Sequence, residues 1–186
     1  MSVFTQRVVQ LCRQEWDFFG NQAINIDGNT IRRGKKETDE GFWQRVGIYW
    51  QAVGRNLTGR NADFPWSAAF VSYIMKTAGA GDKFRYSASH SVYIRAAINN
   101  RNNVNASFRG LKPLELTLKE GDLVGYPRQN GVSYDSLPPD FKSHCDIVVA
   151  VRAGEIDVIG GNVGNSVTLK TLRTNTLGQI IDTNSP

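Results

Sequence analysis

The strongest constraint on the fold of this chain is a change in the spacing of its apolar residues near residue 105. Before that point, apolar side chains recur every three or four residues, which is the spacing of an amphipathic helix. After it, short runs rich in β-branched residues alternate with glycines, as in strands joined by turns. Helices followed by strands indicate an α+β fold, in which N-terminal helices pack on a C-terminal antiparallel sheet.

This spacing predicts four helices and four strands in a single domain. The third helix is apolar on all sides, so we expect it to be buried. Residues 21–37 are polar and contain several glycines and asparagines, and they are expected to form a loop. The predicted helices are Val3 to Phe19, Thr38 to Val53, Pro65 to Ala78, and one capped by Ser87 or Ser89 that continues to Ile98. The predicted strands contain Leu123–Val124, Ile147–Val151, Ile156–Ile159 and Val167–Leu169.

Composition restricts the partners and the compartment. The chain has 22 Lys and Arg against 17 Asp and Glu, a net charge of +5. This balance favours anionic partners, although a solvated basic surface explains it equally well. Without a recognisable motif, we do not expect nucleic-acid binding. The first residues lack a signal-peptide pattern, and no apolar run is long enough to span a membrane. We therefore expect synthesis in the cytoplasm, and delivery to a periplasm or cell wall only by another route.

The residues suited to acid–base and nucleophilic chemistry are few. Only His90 and His144 can supply an imidazole. Ser67 lies at the start of the buried third helix, where unpaired backbone N–H groups favour developing negative charge. A serine hydroxyl is a weak nucleophile and needs a base within hydrogen-bonding distance. Two distant histidines without clustered carboxylates give no metal site, and no cofactor motif is present, so neither a metal nor a cofactor is expected.

Two residues are candidates to orient His144. Side chains alternate along a strand, so His144 and Asp146 share one face while Cys145 points to the other, where we expect an inert core cysteine. Asn162 follows a pair of glycines after the next predicted strand and could hold the imidazole in the required tautomer. The sequence leaves open whether Asn162, Asp146 or neither does so.

Several short motifs resemble those of CHAP amidases and NlpC-type peptidases. The matching segments are Trp66-Ser67-Ala68-Ala69-Phe70-Val71-Ser72, Gly121-Asp122-Leu123-Val124, His144-Cys145-Asp146-Ile147-Val148-Val149 and Gly161-Asn162. The whole chain resembles more closely a bacterial family of uncharacterised proteins related to these enzymes, which shares the serine and the segment His90-Ser91-Val92-Tyr93-Ile94. The first segment carries Ser67 where the CHAP and NlpC enzymes have cysteine, and Gly160 stands where CHAP enzymes often have Glu.

The resemblance implies a papain-like fold of the CHAP/NlpC type over residues 1–186, with a helical N-terminal extension (1–60) and a catalytic core (61–175). It assigns the nucleophile to Ser67, the base to His144 and the orienting position to Asn162, for which Asp146 is the alternative. Trp66, His90 and Tyr93 are the expected substrate-binding residues. Trp66 has a core position as its alternative role, and His90 is equally suited to be a second catalytic group or a half-buried helix residue.

The function expected from this resemblance is hydrolysis of an amide bond in peptidoglycan peptides through an acyl-enzyme on Ser67. The partner is then peptidoglycan or a wall-derived peptide, together with an immunity protein if the chain is an antibacterial effector rather than a lysis protein. Two alternatives stay open. One is an esterase or acyltransferase on the same fold, and the other is an inactive module that binds a peptide or glycan.

Overall fold

The computed structural model describes residues 1–181 and contains four α-helices and six strands over that range. The helices are α1 (Val3–Phe18), α2 (Phe42–Ala52), α3 (Ser67–Ala78) and α4 (His90–Asn99). The strands are β1 (Gln22–Ile24), β2 (Thr30–Arg32), β3 (Leu123–Pro127), β4 (Ser143–Arg152), β5 (Glu155–Val163) and β6 (Ser166–Arg173). The predicted α+β class is confirmed, and each predicted helix and strand is present with shifted limits.

All six strands form one sheet in the order β2-β1-β6-β5-β4-β3. The pairs from β6 to β3 are antiparallel, whereas β1 runs parallel to β6. The prediction of a purely antiparallel sheet was therefore wrong, as was the prediction that residues 21–37 form only a loop. Strands β1 and β2 have three residues each, too few to show an alternating pattern in the sequence.

The core lies between the sheet and helices α1 to α3. Helix α3 contacts β4 and β5, and its residues Phe70, Val71 and Ile74 are fully buried. The prediction that this helix is buried is confirmed except in its last turn, where Lys76 and Thr77 are exposed. Gly79 ends α3 with a φ of 96°, a left-handed conformation that glycine adopts without steric penalty. No helix within residues 1–181 is both long and apolar enough to cross a membrane.

Candidate active site

The first turn of α3 presents Ser67 next to the end of β5. The backbone of Gly161 in β5 packs directly on the helix, because a Cβ built there would lie 2.6 Å from Phe70 Cβ. Ser67 is the first residue of α3 and keeps 7% of its surface exposed. The N–H groups at the start of a helix have no intrahelical partner, so this position combines a hydroxyl with free backbone donors.

The hydroxyl of Ser67 is hydrogen-bonded to His90, the first residue of α4. The distance from Ser67 Oγ to His90 Nε2 is 2.6 Å, and His90 is only 5% exposed. The sequence analysis paired Ser67 with His144, so the structure gives this serine a different imidazole. The two histidine rings lie 5.1 Å apart between centroids, and His144 belongs to the same cluster.

Tyr93, one turn further along α4, fixes the other side of the His90 ring. Its hydroxyl is hydrogen-bonded to His90 Nδ1. When Nδ1 carries the ring proton, it donates to the Tyr93 oxygen, and Nε2 is left as the acceptor for the Ser67 hydroxyl. This is the tautomer that a general base requires.

Burial keeps the His90 ring neutral. Desolvation, and secondly the nearby His144, lower the pKa of His90 to about 3, while the charge of Asp146 acts in the opposite direction. Burial also raises the pKa of the Tyr93 phenol and of the Cys145 thiol. All three groups are therefore uncharged at neutral pH, and Cys145 is the buried, inert cysteine that strand alternation predicts.

His144 has charged partners instead. Its Nε2 lies 3.0 Å from Asp146 Oδ1, and Asp146 Oδ2 lies 2.8 Å from Lys170 Nζ on β6. Lys170 also donates to the Tyr126 hydroxyl over 3.1 Å. Burial opposes the ionisation of Asp146, but the charges of His144 and Lys170 hold the pKa of that carboxyl below its usual range. Of the two residues considered for contact with His144, Asp146 makes it.

Asn162 makes different contacts. With its amide nitrogen towards Glu37, it donates to Glu37 Oε2 over 3.0 Å, and its amide oxygen accepts from the Trp66 N–H over 3.3 Å. Glu37 also accepts from the Trp66 indole N–H. The predicted contact between Asn162 and His144 is therefore not the one observed, and Asn162 anchors Trp66, the residue before helix α3. Its φ of 59° is in the left-handed region that asparagine tolerates.

All three expected substrate-binding side chains are buried. Trp66 is 1% exposed and packs against Phe19, Tyr49 and Phe70, so its ring has no free face for a sugar. Tyr93 is buried behind His90. The core position considered for Trp66 in the sequence analysis is the one observed, while His90 is at the centre of the site.

The sequence analysis did not identify Lys170, Tyr126 or Glu37. A usable signal existed for Lys170, because strand alternation places it on the same face of β6 as the buried Leu172. Glu37 carried no such signal, since it lies in a polar stretch between two helices. A buried carboxylate of that kind is recognisable only when its partners, which are distant in sequence, are known.

A cavity of about 810 Å³ lies beside the cluster, between α4, β3 and the segment before β3. Tyr93, Tyr126 and Cys145 line it together with many apolar side chains, whereas Ser67 and His90 are not among its lining residues. Tyr93 therefore borders the cavity and also contacts His90, whereas Ser67 does not line the cavity. Within residues 1–181, no group of three His, Cys, Asp or Glu side chains could hold a metal ion.

Comparison with known proteins gives one assignment. No curated protein and no solved structure matches the chain. Residues 37–185 match the family described as "Uncharacterized protein conserved in bacteria (DUF2272)". The match begins at Glu37 and includes Ser67, both histidines and Asn162. Because it covers most of the sequence, this chain belongs to that bacterial family.

Proposed function

We propose that this protein is a serine-dependent hydrolase that cleaves amide bonds through an acyl-enzyme on Ser67, with His90 as its base. The observation that carries the proposal is the 2.6 Å hydrogen bond between Ser67 Oγ and His90 Nε2. It has the geometry that proton transfer from a nucleophile to a general base requires. The neutral ring and the contact between Nδ1 and Tyr93 support the same role.

The reaction follows from these contacts. Ser67 Oγ attacks the carbonyl carbon while its proton moves to His90 Nε2, and the backbone N–H groups of the first turn of α3 face the developing oxyanion. The C–N bond then breaks, and the imidazolium returns its proton to the leaving amine. Water hydrolyses the resulting ester after His90 has taken one of its protons, which regenerates the serine.

The substrate that we propose is peptide from the bacterial cell wall, and the fold that we propose is papain-like. Two features support this substrate. The segment from Trp66 to Ser72 resembles the nucleophile helix of CHAP amidases and NlpC-type peptidases, and the net charge of +5 favours an acidic polymer. With such a substrate, an antibacterial effector or a lysis protein is the biological role to test first.

Digestion of purified sacculi tests this proposal. The protein and its Ser67→Ala variant are incubated with sacculi, and the soluble products are analysed by mass spectrometry. We expect the parent protein to release wall fragments with a new carboxyl and a new amino end, and the variant to release none. Equal release by both proteins, or no release by either, would contradict the proposal.

Ester hydrolysis or acyl transfer is the second candidate, and the low pKa of His90 favours it. A base whose conjugate acid is strong removes a proton less readily, so it suits activated acyl donors better than amides. A panel of nitrophenyl esters beside muropeptides separates the two candidates. Turnover of esters alone, abolished by Ser67→Ala, would replace amide hydrolysis with ester chemistry.

A further inference from the structure

An ion pair with almost no solvent contact lies behind the two histidines. The side chains of Asp146 and Lys170 are 0% and 1% exposed and lie 2.8 Å apart. Replacing a buried ion pair by apolar side chains of similar size is often neutral or stabilising. Stability of the fold is therefore a weak reason for two charges in this position, and a role in the neighbouring site is worth considering.

The pair has a definite direction relative to the site. Asp146 contacts both Lys170 and His144, and His144 is the neighbour of His90 at 5.1 Å between ring centroids. The negative end of the pair thus faces the imidazoles, and the positive end lies on β6. An ionised carboxylate only accepts hydrogen bonds, so His144 Nε2 carries a proton and donates it to Asp146.

Position 160 is adapted to this arrangement. A Cβ on Gly160 would lie 1.9 Å from Asp146 Oδ1 and 3.1 Å from His144 Nε2. No real side chain tolerates the first contact, so the carboxylate occupies the space that a residue on β5 would otherwise fill. The absence of a side chain at 160 is therefore a requirement for the contact between Asp146 and His144.

The proposed chemistry of His90 indicates a role for the ion pair of Asp146 and Lys170. When Ser67 gives up its proton, His90 becomes an imidazolium in a buried site, which is unfavourable without a nearby negative charge. Its direct Nδ1 partner, Tyr93, is a neutral phenol that can orient the ring but cannot balance the charge. The buried carboxylate of Asp146 is connected to His90 through His144. It is hydrogen-bonded to His144, whose ring lies next to the ring of His90.

We propose that the ion pair of Asp146 and Lys170 is a fixed dipole that stabilises the imidazolium formed on His90. Lys170 is a positioning residue, which keeps Asp146 ionised and directed at His144. Preorganised charges of this kind stabilise a transition state without reorganisation during the reaction. The proposal rests on the proposed function, since it needs His90 to accept the proton of Ser67.

The rate at which a fluorophosphonate labels Ser67 measures the effect without the natural substrate. In this step Ser67 Oγ bonds to phosphorus, fluoride leaves, and His90 takes the serine proton. The variants are Asp146→Asn, Lys170→Met and the double variant, in which no buried charge stands alone. The matched control removes the exposed pair of Lys112 and Asp135, whose Nζ and Oδ2 are 2.7 Å apart, by Lys112→Met with Asp135→Asn.

We expect each single variant and the double variant to be labelled about tenfold to a hundredfold more slowly, because the dipole is lost in all three. The double variant should recover the thermal stability that the single variants lose, but not the labelling rate.

The acid limb of the labelling rate should also move to lower pH in Asp146→Asn, because Asp146 raises the pKa of His90. The charged or titratable groups around the two imidazoles are Tyr93 on α4, Tyr126 and Arg128 at the end of β3, Cys145 and Asp146 on β4, and Lys170 on β6.

The outcomes separate this proposal from the proposed function. The role of the ion pair would be overturned if the double variant were labelled at the rate of the parent protein, or if the surface control lost as much labelling rate as the double variant. The proposed roles of Ser67 and His90 would stand in both cases. Labelling that persists in Ser67→Ala would instead contradict the nucleophile itself. If the single variants do not fold, the double variant decides the question alone.

Discussion

The two histidines of this protein are close together but have partners of opposite character. His90 lies between two hydroxyl groups, those of Ser67 and Tyr93, and its ring is kept neutral by burial. His144, with its ring centroid 5.1 Å away, contacts the carboxylate of Asp146, which is paired with Lys170. One imidazole is therefore hydrogen-bonded to neutral hydroxyl groups, and the other to an ionised carboxylate.

This difference shows that proximity in a cluster does not settle a residue's task. Either imidazole satisfies the requirement for a base, and contact with the serine distinguishes them, because His90 is the ring that is hydrogen-bonded to Ser67. The Nε2 of His144 donates to Asp146, so only the Nδ1 of that ring is left to accept a proton. A ring whose Nδ1 faces a phenol has its Nε2 available for this purpose. The contact with Ser67 therefore supports the proposed role of His90 as the base, and the contact with Asp146 supports a proposed positioning role for His144.

Replacing each histidine in turn is the most severe test of this comparison. We expect His90→Gln to slow the fluorophosphonate labelling of Ser67 about a thousandfold, the usual contribution of a general base. The same change at His144 should slow labelling only about tenfold. Glutamine can still donate a hydrogen bond to Asp146, but it lacks the ring that lies next to the ring of His90. Labelling kinetics followed by intact-protein mass spectrometry give both rates.

The opposite order would reverse the assignment. If the labelling of Ser67 is slower in His144→Gln than in His90→Gln, the base is His144. The hydrogen bond between Ser67 and His90 is then a contact of the free protein that takes no part in proton transfer. Circular dichroism melts of both variants control for unfolding, and labelling is compared at a temperature at which both are folded.

A methyl group at position 160 should disturb only the charged side of the comparison. In Gly160→Ala, the new Cβ would meet Asp146 Oδ1 at 1.9 Å, so we expect a loss of about 1–3 kcal/mol in the free energy of unfolding. Gly47→Ala on α2 is the matched control, because its Cβ would meet no atom closer than 3.5 Å. Urea denaturation measures both. A loss in the control as large as that at 160 would show that the contact with Asp146 is not the cause.

The neutral side of the comparison should be visible in the pH dependence of stability. The pKa of His90 falls from 6.5 to about 3 on folding, so the unfolded chain binds a proton that the folded chain does not between these values. Stability should therefore decrease as the pH is lowered below 6.5, by up to about 1.4 kcal/mol per unit from this group. Asp146 loses its contribution only near and below its unfolded pKa of about 4, so the range from about pH 5 to 6.5 reports mainly on His90.

His90→Gln provides the reference for this measurement. Its free energy of unfolding should change less steeply with pH over the same range, and the two slopes should agree above about pH 8, where His90 is neutral in both states. Identical slopes below pH 6.5 would contradict the burial of a neutral ring at this position.

Part of the architecture is readable from local spacing. Apolar residues at helical intervals predicted α1, α2 and α4, and the fully apolar segment after Pro65 predicted the buried α3. The strand runs predicted β3 to β6, and alternation predicted that Cys145 would face away from His144. These features depend on neighbours within one helical turn or on a strand period of two, so the sequence contains their determinants directly.

The sequence by itself determined the helices, the central strands and the small set of residues able to do chemistry, which included Ser67, His90 and His144. Only the tertiary structure decided which histidine meets the serine, that Lys170 is buried against Asp146, and that Asn162 binds Glu37. Such contacts join residues brought together by packing of helices on a sheet. Their distances depend on how whole elements dock, which no periodicity along the chain encodes.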